Sequence, residues 1–283
     1  MTAHILNGQI LAQKILQEIT ECVKTRVAHG KKAPGLAVVI VGENPASQIY
    51  VKNKCKACEQ VGFKSFRYDL SKDVSEIELL NLIQQLNQNP DVDGILVQLP
   101  LPDPIDENKI IDAIEFHKDV DGFHPHNIGL LTQRRPLLRP CTPKGVTVLL
   151  KNYIGDLAGL HAVILGASNI VGRPLSMEML LQGCTTTVCH SRTRNIESIT
   201  QQADILISAV GKPGLVKSDW VKPGVIIVDV GINRLPDGKL VGDIDFESVK
   251  SKAAWISPVP GGVGPMTVAM LLENTLLAAN LFN

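Results

Sequence analysis

Tyr50 and Lys54 lie four residues apart in the run Ser47-Gln-Ile-Tyr50-Val-Lys-Asn-Lys54, a spacing that places a phenol and an amine on one helical face. Ser47 adds a hydroxyl group one turn earlier. A lysine withdrawn from water loses part of its preference for the charged form, so its amine can accept or donate a proton near neutral pH. The alternative is a surface helix with basic residues at 52, 54 and 56.

Gln98 is a second candidate, because it stands at the end of an apolar run and directly before Leu99-Pro100. A buried amide requires hydrogen-bond partners. A polar side chain at the carboxyl end of a parallel strand also faces the edge where ligands bind. The alternative is a glutamine whose partners are purely structural.

The segments around these residues alternate between helical and extended patterns. Apolar positions recur with helical spacing from Ile10 to Ala28, and the β-branched run at 35–42 is typical of a buried parallel strand. Ser75 followed by Glu78 predicts a capping box. The predicted order is helix 10–28, strand 35–42, the helix of Tyr50 and Lys54, strand 63–70, helix 75–87 and strand 94–99. This pattern indicates an α/β domain.

A second α/β block follows a long connector that we predict over residues 104–145. Its predicted elements are strands 160–165, 185–189, 204–209 and 225–230 and a final helix at 265–281. We therefore predict two three-layer α/β domains with a cleft between them, the second one Rossmann-like. The first would span residues 1–121 and the second residues 122–283, with the last helix, about 265–283, packing back on the first.

A glycine turn joins the strand at 160–165 to the next predicted helix. It reads Gly166-Ala-Ser-Asn-Ile-Val-Gly172-Arg-Pro174, and Rossmann units bind a dinucleotide pyrophosphate at such a turn. Ser168 replaces the second glycine of the usual GxGxxG fingerprint, but the preceding strand and the following helix provide the expected context. The predicted cofactor contacts in this turn are Gly166, Ala167, Ser168, Val171, Gly172 and Arg173.

The ends of the other predicted strands indicate which dinucleotide binds. A carboxylate would bind the ribose 2′-hydroxyl of NAD, but here the strand runs into His190-Ser191-Arg192-Thr193-Arg194. Arginine and hydroxyl groups suit a 2′-phosphate, so Ser191 and Arg192 favour NADP over NAD; a solvated basic loop is the alternative. Gly211 and Ile232 follow two later strands, where a cofactor would approach the sheet edge; tight turns alone are the alternative.

Composition narrows the classes of partner. The 283 residues include 28 basic and 28 acidic ones, and this balance indicates neither nucleic acid nor an anionic membrane. No membrane span and no secretory signal are predicted, so we expect a cytoplasmic protein with reduced thiols and a small-molecule substrate. Cys55 and Cys58 have CxxC spacing, but no second pair completes a metal site, and we predict no metal.

Five segments together resemble the bifunctional methylenetetrahydrofolate dehydrogenase/methenyltetrahydrofolate cyclohydrolase family. They occur in family order and span nearly the whole chain: Tyr50-Val-Lys-Asn-Lys54, Gly94-Ile-Leu-Val-Gln98-Leu-Pro-Leu-Pro102, Lys118-Asp-Val-Asp121-Gly122, Gly166-Ala-Ser-Asn-Ile-Val-Gly172-Arg-Pro174 and Pro258-Val-Pro-Gly-Gly-Val-Gly-Pro-Met-Thr267. The resemblance implies NADP-dependent oxidation of 5,10-methylenetetrahydrofolate and hydrolysis of the resulting methenyl compound to 10-formyltetrahydrofolate. It also implies a cytosolic homodimer.

The resemblance implies roles for individual residues. Lys54 matches the catalytic lysine, Tyr50 its neighbour against the pterin, and Gln98 a residue that hydrogen-bonds to Lys54. Asp121 matches the carboxylate that binds the pterin amino and ring N–H groups; a simple Asp-Gly turn is the alternative. The remaining predicted substrate contacts are Ser47, Pro260, Gly261, Gly262 and Pro265.

Two points of chemistry stay open at this stage. Water addition to the methenyl carbon needs a proton acceptor, which is Lys54 in one interpretation. In the other, Lys54 stays charged and stabilises the tetrahedral intermediate. Many NADP-dependent relatives have arginine where this chain has Ala167, and this difference leaves Ser191 and Arg192 to bind the phosphate.

Two other protein classes share part of the pattern. Short-chain dehydrogenases use a serine with Tyr-x-x-x-Lys, but their cofactor turn precedes the tyrosine, whereas Gly166 follows Tyr50 by more than a hundred residues. A non-catalytic dinucleotide-binding regulatory module would not need Lys54, Gln98 and Asp121 together. The enzymatic interpretation requires the amine of Lys54 and a bound nicotinamide to reach the same one-carbon bridge.

Overall fold

The computed structural model describes residues 3–282, apart from the side chains of residues 45–47 and 49. The chain divides into two compact units. Unit 1 consists of Met1–Ala12 and Thr142–Thr267, and unit 2 consists of Gln13–Cys141 and Val268–Asn283. Each unit is an α/β fold built on a parallel sheet, as the alternating sequence patterns predicted.

Helices and strands alternate along most of the chain. The strands are β1 (His4–Ile5), β2 (Gly35–Val41), β3 (Lys64–Leu70), β4 (Gly94–Val97), β5 (His161–Leu165), β6 (Thr185–Cys189), β7 (Ile205–Ser208), β8 (Ile226–Asp229), β9 (Asn233–Arg234), β10 (Leu240–Val241) and β11 (Trp255–Ile256). The helices are α1 (Gly8–Ala28), α2 (Pro45–Val61), α3 (Glu76–Gln88), α4 (Glu107–Ala113), α5 (Pro125–Thr132), α6 (Cys141–Ile154), α7 (Gly172–Leu181), α8 (Ile196–Thr200), α9 (Phe246–Val249) and α10 (Val263–Phe282).

The sheet of unit 2 has the order β3-β2-β4, and both strand pairs are parallel. β2 is buried along its whole length, because side chains point alternately to two covered faces. One face packs against α3, while α2 contacts β2 and β3. The predicted capping box begins α3: Ser75 Oγ accepts from Glu78 N at 3.2 Å, and Glu78 Oε2 accepts from Ser75 N at 2.9 Å.

The segment predicted as a connector, residues 104–145, is largely helical and contains α4, α5 and the start of α6. These helices were not predicted, because their first residues also occur in loops. Asp106 caps α4 by accepting from Asn108 N, and Pro125 occupies the first turn of α5. Asp and Pro at such positions begin a helix as readily as they mark a turn.

The sheet of unit 1 has the order β1-β11-β8-β7-β5-β6, and all its pairs are parallel. β5 lies between β6 and β7, so the direction of winding reverses beside β5, as in Rossmann-like doubly wound sheets. β1 and β11 were not predicted, because two residues are too few to show a period. β9 and β10 form an antiparallel pair.

α10 is long and apolar enough, by length and composition alone, to cross a membrane. However, 56% of the qualifying stretch is buried inside the protein. Core helices of folded domains meet the same two criteria, so this one helix is weak support for a membrane span.

Candidate functional site

α2 places Tyr50 and Lys54 one turn apart, on the same face of the helix. Lys54 is 8% exposed, and burial raises the pKa of the half-buried Tyr50 phenol above its usual value. Ser47, predicted as a substrate contact, has a side chain outside the described residues. The predicted phenol and amine are therefore both largely withdrawn from bulk water.

Gln98 accepts a hydrogen bond from Lys54, with Nζ and Oε1 3.0 Å apart. β4 ends at Val97, so Gln98 lies one residue beyond the strand that we predicted it would end. Its Nε2 donates to Leu99 O at 2.7 Å. Because one side of the amide is a donor and the other an acceptor, this second bond directs Oε1 towards the amine. The predicted contact between these side chains is present.

Asp121 lies close enough to Lys54 for the positive charge to affect its carboxyl group. Burial raises the pKa of Asp121 to about 6, in spite of the opposing effect of Lys54, and the charge of Asp119 acts in the same direction as burial. No protein group in the described part of the chain donates a hydrogen bond to this carboxylate. Its oxygens are available to a ligand that offers two N–H groups.

The loop that carries Asp121 is held by Asp119, which is 2% exposed. The Asp119 carboxylate accepts from the backbone N–H groups of residues 122–124 at 3.1, 3.2 and 2.8 Å and from Asn127 Nδ2 at 2.8 Å. Burial raises the pKa of Asp119 even so. Asp119 was not among the predicted site residues; an aspartate three residues before a glycine was the available signal of such a turn.

Cys55 and Cys58 do not form a disulfide. All six cysteines are free. Burial, followed by the charge of Cys55, raises the pKa of Cys58 to about 12, so this thiol stays protonated at neutral pH. Cys58 is therefore not a nucleophile at neutral pH, in spite of the CxxC spacing.

The nucleotide contacts predicted in unit 1 lie at the carboxyl ends of four adjacent strands, in the order β6-β5-β7-β8. Ser191 and Arg192 follow β6, residues 166–173 follow β5, Gly211 follows β7, and Ile232 follows β8. The strand order therefore brings all of them to one edge of the sheet. Ligands bind at this edge in open parallel sheets, beside the point where the winding reverses.

The turn after β5 is too tight for any residue but glycine at two positions. Gly166 has a φ of +115°, and a Cβ there would lie 2.3 Å from Ala209 O. A Cβ at Gly172 would lie 2.0 Å from Gly166 O. Both glycines are thus required by the backbone of the turn itself, whether or not a phosphate binds there.

Side-chain hydrogen bonds stabilise this turn, and the guanidinium of Arg192 nearby has no described ion-pair partner. Ser168 Oγ accepts from Val171 N at 3.2 Å, and Arg173 Nε donates to Ala167 O at 3.1 Å. Arg192 is exposed, and its guanidinium makes no ion pair with the residues that the structure describes. A guanidinium without a carboxylate partner at this edge fits the phosphate of a dinucleotide.

The remaining predicted substrate contacts lie in unit 1, in the turn before α10 and in the first turn of that helix. Gly261 has a φ of +103°, and its carbonyl oxygen accepts from Gln9 N at 3.0 Å. A Cβ at Gly262 would lie 2.6 Å from Pro258 O. Pro265 lies in the first turn of α10, where its missing N–H costs no hydrogen bond.

Two family models match the chain and together span nearly all of it. The catalytic domain of tetrahydrofolate dehydrogenase/cyclohydrolase matches residues 6–121. The NAD(P)-binding domain of tetrahydrofolate dehydrogenase/cyclohydrolase matches residues 140–283.

Solved structures are similar over the full length. The bifunctional enzyme FolD, methylenetetrahydrofolate dehydrogenase/cyclohydrolase, from Campylobacter jejuni is 53% identical, with a TM-score of 0.96 over 98% of this chain and 99% of that one. The Trypanosoma brucei enzyme, complexed with NADP cofactor and inhibitor, is 37% identical, with a TM-score of 0.95 over 99% and 98%. The bifunctional enzyme from Thermoplasma acidophilum is 36% identical, with a TM-score of 0.91 over 98% of each chain. With both domains matched and such identities over its whole length, the chain belongs to the tetrahydrofolate dehydrogenase/cyclohydrolase family.

Proposed function

We propose that this chain is a bifunctional one-carbon folate enzyme. It oxidises 5,10-methylenetetrahydrofolate with NADP and hydrolyses the 5,10-methenyl product to 10-formyltetrahydrofolate. The observation that carries the proposal is the buried Lys54 amine bonded to Gln98, beside an Asp121 carboxylate with no described protein donor. Relatives that bear both activities in their names, one of them solved with NADP, support the same assignment.

Asp121 and Tyr50 are proposed to bind the pterin. A pterin presents an amino group and a ring N–H on one edge, and an ionised carboxylate can accept both in charge-assisted bonds. The half-buried phenol of Tyr50 supplies an aromatic face against which the pterin ring packs. The further substrate contacts that we propose are Ser47, Pro260, Gly261, Gly262 and Pro265.

The dehydrogenase step depends mainly on alignment. Bound NADP supplies the hydride acceptor. The turn at 166–172 is proposed to bind its pyrophosphate, and Ser191 and Arg192 its 2′-phosphate. Gly211 and Ile232, which follow β7 and β8, are proposed to contact the cofactor at the same edge. Alignment of the two reactants can supply several kcal/mol of the barrier in such a step.

Lys54, in its neutral form, is proposed to accept a proton in the cyclohydrolase step. As the water oxygen bonds to the methenyl carbon, Lys54 takes a water proton, so positive charge passes from the substrate to the amine. The adduct then opens: the bond from this carbon to N5 breaks, the hydroxyl group loses its proton, and N5 gains one. The formyl group stays on N10. Gln98 accepts a hydrogen bond from the amine throughout and keeps it in place.

We further propose that the protein is a cytoplasmic homodimer, with the folate site mainly in residues 1–121 and the nucleotide site in 122–283. The zero formal charge and the family resemblance support a small-molecule partner over nucleic acid or a membrane surface. Light scattering coupled to size-exclusion chromatography measures the mass of the protein in solution. We expect about twice the chain mass of 30.6 kDa, and a mass equal to one chain would contradict the dimer.

A spectrophotometric assay tests the activities. Methylenetetrahydrofolate is supplied with NADP or with NAD, and both the reduced nucleotide and the methenyl chromophore are followed. We expect reduction of NADP without build-up of the methenyl compound, because both steps proceed. Binding of NADP without any absorbance change would instead support the regulatory module.

Lys54→Met tests the role of the lysine. We expect loss of methenyl hydrolysis by about 10²–10⁴-fold, the usual contribution of a positioned acid or base, with NADPH binding unchanged. Lys56→Met is the matched control, because Lys56 is exposed on the same helix. An unchanged hydrolysis rate in Lys54→Met would refute the assignment.

A further inference from the structure

Asp243 is a fully buried carboxylate that collects five hydrogen-bond donors in unit 1. Three of them are backbone N–H groups of the loop after β7: Val210 at 2.7 Å, Gly211 at 3.2 Å and Lys212 at 2.9 Å. The side chains of Ser208, at 3.2 Å, and Asn233, at 3.0 Å, complete the set. A carboxylate offers about four lone-pair sites, so this one has no capacity left for a ligand.

The loop that Asp243 holds faces solvent on its other side. Residues 211–213 are exposed, Gly211 has a φ of +66°, and a Cβ there would meet nothing within 4 Å. The backbone of this loop is thus fixed on the side of Asp243 and exposed to solvent on the other side. This loop lies at the carboxyl end of β7, next to the turn after β5, at the edge proposed to bind the nucleotide.

Asp229 holds Asp243 in turn. Asp229 Oδ1 accepts from the N–H groups of Asp243 and Gly231, each at 3.0 Å, and Oδ2 accepts from Ile244 N at 2.9 Å. The two acids therefore tie the loops after β7 and β8 to the segment at 242–244. This connection runs through buried polar groups, which are costly to leave unpaired.

Two glycines show that the backbone packs closely against both carboxylates of this network. A Cβ at Gly231 would lie 2.1 Å from Asp243 Oδ1, and a Cβ at Gly242 would lie 1.8 Å from Asp229 Oδ2. In each case the backbone lies directly against a carboxylate. A shift of either acid would displace a strand-end loop, because no empty space is available to absorb it.

We propose that Asp243 is a positioning residue for the dinucleotide, fixing the loop at 209–214 in its binding form while Asp229 fixes Asp243. The inference rests on the proposed function, because it assumes that the nucleotide binds at this edge. Asp243 does not touch the cofactor; it acts through the backbone of the loop. Its loss therefore weakens nucleotide binding more than any reaction that needs no nucleotide.

Asp243→Asn tests this with two readouts. Direct titration of NADPH, followed by its fluorescence, is expected to show a Kd raised about 10–100-fold, because an amide cannot accept all these donors. Hydrolysis of methenyltetrahydrofolate, which consumes no nucleotide, is expected to change less than about twofold. In the dehydrogenase assay, KM for NADP rises while kcat at saturation is largely kept.

Two further variants keep the test decisive. Ser208→Ala removes one donor without altering the carboxylate and is expected to raise the NADPH Kd about threefold; it decides the question if Asp243→Asn does not fold. Asp245→Ala is the control, because it removes the N-cap of α9 without touching the loop. Wild-type NADPH affinity in folded Asp243→Asn and Ser208→Ala, or equal loss in Asp245→Ala, would overturn the inference. A wild-type protein that does not bind NADPH would overturn the proposed function as well.

Discussion

In each unit a buried aspartate fixes one loop through backbone N–H groups. The two units differ in the second acid that lies beside this aspartate. In unit 2, Asp119 accepts the N–H groups of residues 122–124; in unit 1, Asp243 accepts those of residues 210–212. Each carboxylate fixes a loop that bears predicted ligand contacts. The difference lies in the acid beside each of them.

Asp229 uses both of its oxygens on backbone N–H groups, whereas Asp121 has no donor among the described residues. Burial raises the pKa of both, to about 7 for Asp229 and about 6 for Asp121. Burial alone thus does not distinguish the two acids. The missing donors do, because an ionised carboxylate in such a place needs hydrogen bonds, and at Asp121 the described protein groups supply none.

Asp121→Asn is expected to have the largest effect. The amide cannot accept two N–H groups on one edge, and loss of charge-assisted bonds lowers kcat/KM for folate substrates by about 10²–10⁴-fold. Because no described protein group donates a hydrogen bond to this carboxylate, the melting temperature is expected to stay within a degree or two. Steady-state kinetics and calorimetry measure the two effects. A strong loss of stability would show that Asp121 stabilises the fold, as Asp229 does.

Asp119→Ala is expected to act on the folate side alone. Four donors lose their acceptor, so the loop before α5 loosens and KM for the methenyl substrate rises about 10–100-fold. The Kd for NADPH stays at its wild-type value, the reverse of the pattern expected for Asp243→Asn. Parallel titrations of the two variants measure this. Equal losses of both ligands in either variant would break the comparison.

The sequence predicted the placement of residues that depends on a single element, and it missed contacts that need two. Tyr50 and Lys54 share a helix, and Gln98 stands at a strand end, so their placement could be predicted. Asp243 accepts from N–H groups 31 to 33 positions earlier in the chain. Before strand order is known, nothing distinguishes it from a surface acid in a hairpin.

Most of the fold was predictable for the same reason. Strands such as β2 and β5 are continuous apolar runs, and Ser75 marks the start of α3. The missed helices α4 and α5 have 7 and 8 residues, too short for a helical period to stand out from their Asp and Pro residues. The sequence predicts only a turn at Gly231, because the close approach of this residue to Asp243 depends on how the loops pack.

Lys118→Met tests whether Lys118, in the motif that also contains Asp121, stabilises the fold or contacts the substrate. Lys118 Nζ donates to the carbonyl oxygens of Leu86, Asn87 and Asn89 at 3.1, 2.7 and 2.9 Å, so it caps the end of α3. Its removal is expected to cost about 2 kcal/mol in the free energy of unfolding, measured with urea. The folded variant keeps its kcat/KM. Reduced kcat/KM with an unchanged urea midpoint would instead place Lys118 in the substrate site.

Asp229→Asn is expected to change how stability depends on pH. The pKa of Asp229 is raised by burial to about 7, so between pH 4 and 7 the folded protein binds a proton that the unfolded chain releases. This contribution is fully present below the unfolded pKa and is lost as the pH rises through 7. From pH 6 to 8 the wild type should lose about 1.4 kcal/mol relative to the variant.

Urea unfolding of both proteins at pH 6, 7 and 8 isolates this group, because Asp121 and the other acids are common to both. The variant is less stable at low pH, since its amide cannot accept every N–H that Asp229 accepts, but the difference shrinks as the pH rises. A constant difference across this range would mean that Asp229 is ionised throughout. The backbone N–H groups would then outweigh burial at Asp229, and its contrast with Asp121 would extend from hydrogen bonding to charge.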